Sequence, residues 1–301
     1  MAISEQWAEL LLPGLRRIFE VQRDALAAVS LVPGLFNVIP STKAQEFDLG
    51  IGGFGDWQEY EGAIEYDDME QLWKTTYTHT EYVRGFKVER KLVDDDQYNI
   101  INRRPRGLAL SAMRTREKHA ASVFNNAFST SYVGGDAKPL CESAGHPYSP
   151  SNASTQTNEG STALSYDAVV ATRRIMREYK DDRGELVQVN PTLILHPPEL
   201  EEPASAIVNT MNKVDVADYH DSFIRRKGIT NVGWDYLTDA NNWFLIDPQL
   251  AKLFLLWIDR IPLEFEMDPT SDFRLEARYR GYMRFSYGFS DWRWVYGHLV
   301  T

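Results

Sequence analysis

The sequence predicts a mixed α+β fold on three observations. Helical periods of apolar residues recur near the N-terminus, after Pro105 and after Ala163; strand-like stretches crowd toward the C-terminus; and strand and helix do not alternate regularly, as a parallel sheet would need. With 301 residues, 43% of them hydrophobic, the chain can bury a sizeable core in one large domain or two smaller ones. Its 32 Lys and Arg against 43 Asp and Glu leave a net charge of −11, which argues against bulk attraction to nucleic acid or anionic lipid.

The single Cys141 closes no intramolecular disulfide and falls short of a thiolate zinc site, so no metal is expected. No apolar run approaches the ~20 residues of a membrane span. Glu5 and Glu9 stand where a signal peptide would be basic, so an intracellular protein is expected and the Asn152-Ala153-Ser154 sequon reads as accidental.

Taken in order, Ile3, Trp7, Leu10, Leu11, Leu15, Ile18, Phe19, Leu26 and Val29 mark an amphipathic helix. Pro13-Gly14 should divide it, and Pro33-Gly34 and Pro40 should end it. Between Glu46 and Asp96 lie fourteen acids against five basic residues, a local −9. Within this stretch Glu81 to Leu92 alternates like a half-exposed strand and Gly50 to Ile64 is rich in glycine and aromatics, which together read as a long hairpin or loop. Such a ribbon is marginally stable alone and should lie against something else.

Asp94, Asp95 and Asp96 suit a helix start, where the dipole favours negative charge. Pro105 suits a first helical position, and Leu108, Ala112, His119, Ala120, Val123, Phe124, Ala127 and Phe128 then mark one face of a helix over Arg106 to Phe128, about 34 Å long at 1.5 Å per residue. Its flank is basic: six Lys and Arg against one Glu from Arg103 to Lys118. An acidic ribbon and a basic helix complement each other, by folding back or by meeting in a neighbouring copy.

Ser129 to Ser165 reads as an irregular surface loop and a boundary. Ala163 to Tyr179 reads as helix, Gly184 as a turn, Pro191 to Leu195 as a buried strand, and Leu200 to Met211 as helix again. Strands follow at Trp243 to Ile246, Leu253 to Ile258 and Leu263 to Met267. Along Phe273 to Tyr296, Arg274, Arg278, Arg280 and Arg284 share one parity against Phe273, Leu275, Ala277, Tyr279, Met283 and Phe285.

Candidate chemistry is sparse. Gly50 to Gly55 spells G-x-G-x-x-G, but no apolar strand precedes it and no apolar helix follows, so a flexible turn is favoured over a dinucleotide loop. His79 with Glu81 and Cys141 with His146 match no ligand or nucleophile spacing. The arginine stripe from Asp272 to Arg293 resembles a base-stacking sheet, yet a solvated or ion-paired face is the stronger reading, since the net charge opposes attraction to phosphate. No catalytic, cofactor-binding or metal residue is assigned, and no enzyme activity is expected.

The order of elements resembles the tailed-phage major capsid proteins of the Hong Kong 97 fold, and within them the Mu-like prophage major head subunits. Gly53-Phe54-Gly55-Asp56-Trp57 with Glu61-Gly62, Thr75 to Tyr82, Gly85 to Arg90 and Asp94 to Tyr98 look like that family's extended loop entering its spine helix. Lys138-Pro139-Leu140 with His146-Pro147, Lys180 to Gly184, Asn190 to Leu195, and Leu200 with Ala204 look similar to its axial domain. The resemblance implies an N-terminal arm (1–45), an extended loop hairpin (46–92) lying over a neighbouring subunit, a peripheral domain with the spine helix (93–160), an axial domain (161–255), and strands returning to the peripheral sheet (256–301).

It further implies a structural protein that assembles into hexamers and pentamers of an icosahedral shell, in the host cytoplasm, around double-stranded DNA held without sequence-specific contacts. Scaffolding, portal and decoration proteins would be its partners. The expected contacts between subunits are Trp57, Glu59, Glu61, Glu65, Asp67, Asp68 and Glu70 on the loop with Arg103, Arg104, Arg106, Arg114 and Arg116 on the helix. Some capsid proteins of this fold crosslink Lys to Asn; Lys74, Lys87 and Lys91 lie in the proposed loop, where solvated lysines are the favoured reading. The rival readings are an encapsulin-like compartment shell, a nucleotide-dependent enzyme and an RNA-binding module.

Overall fold

The computed structural model describes residues 7–60, 62, 66–95, 99–210, 222–268 and 276–301. Helix α1 (Trp7–Ala27) is followed by the short α2 (Val32–Leu35), then β1 (Asn37–Pro40), β2 (Gln45–Ile51), β3 (Gln71–Thr78) and β4 (Thr80–Glu89). Next come α3 (Arg90–Asp95), the long α4 (Ile100–Asn125), and three two-residue strands, β5 (His146–Pro147), β6 (Thr155–Gln156) and β7 (Glu159–Gly160). Helix α5 (Tyr166–Met176), β8 (Leu193–His196), α6 (Glu201–Asn209), α7 (Phe223–Arg226), β9 (Thr230–Gly233), β10 (Trp243–Ile246) and α8 (Pro248–Phe254) lead to β11 (Leu255–Met267), β12 (Glu276–Phe289) and β13 (Val295–His298). The expected α+β class is what the chain adopts.

Two main sheets organise the molecule. One runs β1-β11-β12-β4, antiparallel except for β1 beside β11. The other runs β7-β13-β10-β8-β9. On β12 burial alternates strictly from Glu276 to Phe285, with Ala277, Tyr279, Met283 and Phe285 inward, as its parity predicts. Helices α1 and α4 cover that face: Phe19 stacks on Phe265 at 5.0 Å, and the Tyr279 hydroxyl donates to the Ala8 carbonyl at 2.7 Å. One continuous apolar core joins α1 and α4 to both sheets.

Several boundaries differ from the sequence reading. Helix α1 runs unbroken through Pro13. A proline inside a helix removes one amide hydrogen bond, but Trp7 and Ala8 before it and Leu15 and Phe19 after it are buried on one face, and that packing holds the two halves in line. Helix α4 likewise begins five residues before Pro105, which is itself buried, and it stops at Asn125 rather than Phe128. Asp94 and Asp95 close α3, and Asn99, left-handed with φ 53°, separates them from α4, so they do not start the long helix. Asp96 lies outside the described residues.

The stretch from Ser129 to Ser165 is irregular yet not a surface loop: Leu140, Cys141, His146 and Asn158 are fully buried. Side chains replace secondary structure there, as when the Asn158 amide donates to the Leu140 and Val295 carbonyls. The two strands read between Leu253 and Met267 are one strand whose register shifts twice near Ile261. The C-terminal residues divide between sheets, because β12 pairs with β11 and β4 whereas β13 pairs with β10.

Candidate functional site

The acidic stretch forms two separate structures. Strands β2 and β3 pair with each other as a two-stranded ribbon from Gln45 to Thr78, and the loop 52–70 connects them. Strand β4 does not extend the ribbon; it is zipped to β12 from Thr80 to Glu89. The hairpin expected over Glu46 to Leu92 is therefore confined to its first two strands, because ten consecutive pairings tie the third to the body.

Alternation on β2 turns Phe47, Leu49 and Ile51 outward in one row, and all three are exposed. Beyond them the loop exposes Phe54, Tyr60 and Tyr66, and Trp57 is completely solvent-accessible at 100%. Lys74 lies over the Phe47 ring at 3.9 Å. On the opposite face Glu46 accepts hydrogen bonds from the Ser41 hydroxyl (2.7 Å) and Lys43 (2.9 Å), which hold its carboxyl below the usual carboxylate range.

At the neck, both chains of the loop meet the turn at Asp181 to Gly184. The Gly53 amide donates to Asp182 Oδ1 at 3.1 Å and the Gly55 amide to Asp67 Oδ2 at 2.9 Å. Arg183 donates to the Gly53 carbonyl, to Asp67 Oδ1 and to the Asp68 carbonyl, each at 2.9 Å. The Gly55 amide first, and then Arg183, push the Asp67 pKa down. Glu70 accepts from the Ser149 (3.0 Å) and Ser151 (2.8 Å) hydroxyls. Gly52 packs so closely that a methyl group on it would stand 2.3 Å from Asp182 Oδ2.

Of the predicted loop residues, Trp57, Glu59, Asp67 and Asp68 are thus exposed, Glu70 is half-buried, and Glu61 and Glu65 lie outside the described residues. On α4, Arg103, Arg106 and Arg114 are exposed. At 100° per residue they share an arc of about 120° with Leu110 and Lys118, a basic stripe around one apolar residue. Arg104 donates instead to the Lys87 carbonyl. Arg116 turns inward, paired with both Asp259 oxygens (2.8 and 3.0 Å) and lying over the Trp257 ring at 4.8 Å. Its charge is spent inside the subunit. Among the described residues no ion pair joins the 46–70 acids to α4.

The other motifs take structural parts. The glycines of Gly50 to Gly55 run from strand into irregular chain with Asp182 against them, which is no helix-borne phosphate cradle. His146 Nδ1 faces Asp136 Oδ2 at 2.6 Å and its ring stacks on Trp292, while Cys141 is enclosed and burial pushes its thiol pKa up. His79 Nδ1 meets the Ser286 hydroxyl at 2.9 Å. On β12, Arg278 pairs with Glu276 (2.6 Å), Arg280 with Glu266 (3.4 Å) and Arg284 with Glu81 (3.8 Å), which makes this part of the stripe an ion-paired face; Arg274 lies outside the described residues. Lys87 pairs with Glu276 at 3.2 Å. Sequence reasoning did not single out Arg183; its only signal is one arginine between two aspartates and a turn glycine.

The family described as phage capsid protein matches residues 73–297. The fold is similar to that of the bacteriophage JBD30 capsid decorated with minor capsid protein trimers, at 14% identity and TM-score 0.56 over 69% of this chain and 91% of that one. It is similar to the bacteriophage PhiM1 mature capsid at 10% identity and TM-score 0.57, over 90% and 87% of the two chains. A virus-like particle from Pyrococcus furiosus is similar over 96% of this chain and 99% of that one, at 10% identity and TM-score 0.56. No curated protein matches in sequence.

Proposed function

The chain belongs to the phage capsid protein family, and from that membership we propose that its ribbon and basic helix are the contacts by which copies of it close into hexamers and pentamers. It is a major capsid protein of the Hong Kong 97 fold, a structural subunit of an icosahedral shell. The observation that carries the proposed contact is the ribbon. Two strands with a row of outward Phe47, Leu49 and Ile51, and a fully exposed Trp57 beyond them, form a surface that a solitary subunit leaves in water.

A neighbouring copy supplies the cover. Arg103, Arg106 and Arg114 beside Leu110 offer charge and an apolar centre that suit Glu59, Asp68 and the aromatics of the loop. Contact between two different patches of identical chains is heterologous, which closes into rings when the rotation permits. Charge complementarity then sets register and partner. The Mu-like subfamily, assembly in the host cytoplasm, scaffolding, portal and decoration partners, and enclosed DNA belong to the same proposal, supported by the quoted motifs and the family. A net charge of −11 suits a wall that does not cling to its genome.

A compartment shell that encloses a cargo protein is the second reading; the shared fold with a virus-like particle from Pyrococcus furiosus leaves it beside the phage head. Electron microscopy of the purified full-length protein, with its mass by light scattering, tests both. Closed shells or rings of five and six subunits are expected, with nuclease-protected DNA for a phage head and a co-purifying protein for a compartment. A monomer that stays small when concentrated, even with a co-expressed scaffold, sinks both.

A further inference from the structure

We propose that Arg183 is the positioning residue of the long loop, a clamp that sets the direction in which the loop leaves its own subunit and so the geometry of the shell. The proposal rests on the assembly reading above and adds what controls it. A two-stranded ribbon joined to a body through one edge is free to swing about its base. Here the far end is held by a residue more than a hundred positions away in sequence, on a turn that belongs to neither strand.

The geometry is that of a clamp because Arg183 grips both chains of the neck at once. Its Nε takes the Gly53 carbonyl on the outgoing chain, and Nη2 takes Asp67 Oδ1 and the Asp68 carbonyl on the returning chain. The turn is braced to receive them: Asp181 Oδ1 accepts the amides of Arg183 (2.9 Å) and Glu185 (2.8 Å), and the Asn152 amide holds the Asp182 carbonyl at 3.2 Å. Gly184, at φ 94°, gives the turn its left-handed step. A planar fork of donors can span two chains, which the point charge of a lysine cannot. Holding the loop in one pose before it meets its partner lowers the ordering cost of docking.

Hydrogen exchange on the unassembled protein and electron microscopy of particles, for Arg183→Ala, Arg183→Lys, Gly52→Ala and the exchange pair Asp67→Arg with Arg183→Asp, decide it. Arg183→Ala is expected to lower protection at the Gly53 and Gly55 amides by about tenfold or more while Tyr279 and Tyr287 on β12 stay protected. Its particles should lose their single diameter and include open or mixed forms. Gly52→Ala, which pushes the neck off Asp182, should do the same; Arg183→Lys should fall between; and the exchange pair, which keeps the ion pair but has no donor at position 183 for the Gly53 and Asp68 carbonyls, should not restore uniform shells. Unchanged protection in Arg183→Ala, or uniform shells despite a freed neck, overturns the proposal. A lower melting temperature with normal particles overturns it too, since that is a merely structural role. If the wild-type protein makes no shells, the assembly reading fails, and exchange at Gly53 and Gly55 alone still decides whether Arg183 holds the neck.

Discussion

Single side chains in this molecule carry either stability or assembly, and burial separates the two. His298 belongs to stability. The Thr162 amide points at its Nδ1 at 3.2 Å, so the proton sits on Nε2 and is donated to Thr172 Oγ1 at 2.8 Å, while the ring stacks on Trp243 at 4.1 Å. Burial pushes its pKa down to about 4. An unfolded histidine takes its proton near pH 6.5, so between about 6.5 and 4 the unfolded chain binds a proton that the folded one refuses. Stability should therefore fall as pH drops across that window, by about 3 kcal/mol from this group, with His79 and His119 adding to the slope in the same direction. Urea unfolding at pH 7, 5.5 and 4.5 checks this, and His298→Gln should show a shallower decline. Arg116 is the second case. With Asp259 also held by Trp257 Nε1 at 3.0 Å, Arg116→Ala leaves a half-buried carboxylate without its cation and should cost about 3 kcal/mol in the same assay. Trp57, fully exposed, is assigned to assembly by the proposed function. Iodide should quench its emission in the free subunit and not in shells, and Trp57→Phe should remove the quenchable fraction without shifting the melting temperature.

At the scale of elements, tertiary packing overrides local preference where an amphipathic face is long enough. Pro13 and Pro105 both lie inside helices whose buried faces run on past them, so a rule that holds for an isolated helix misplaces both boundaries. Strand parity needs no such correction on β12, where a period of two is dictated by the backbone itself. The β2–β3 ribbon shows the opposite balance. Its apolar row contributes nothing to the core of its own subunit, so Phe47→Ser with Ile51→Ser should leave the melting temperature within about 1 °C while sharply reducing shell yield, since surface substitutions rarely exceed ±0.5 kcal/mol. A fall in stability equal to a core substitution would show that the row packs within one chain.

For the whole molecule, function lies in how charge is divided. The basic stripe of α4 and the acids of the loop do not meet within one chain among the described residues, which is why the proposed function places their complementarity between copies. Arg106→Glu with Arg114→Glu should block assembly without unfolding the subunit, and Glu59→Lys with Asp68→Lys in the loop should restore it. Failure of the second pair to rescue the first would remove these patches as partners. The family and fold were legible because they follow from an ordered series of weak motifs across most of the chain. Which charges remain available was not, since Arg116 and Arg104 look like Arg103 and Arg106 in a list of residues and differ only in what lies beside them.

What the sequence determined alone is the α+β class, the inward parity of the strands, and the separation of an acidic stretch from a basic helix, because periodicity and charge are properties of the chain itself. What only the tertiary structure decided is where those patterns are used. Residues distant in sequence fill the hole or neutralise the charge: Asp259 claims Arg116, β12 claims β4, β10 claims β13, and Arg183 claims the neck of the loop. Such pairings depend on loop closure and packing across about fifty to two hundred residues, and no local pattern encodes the distance between two side chains until the core between them has formed.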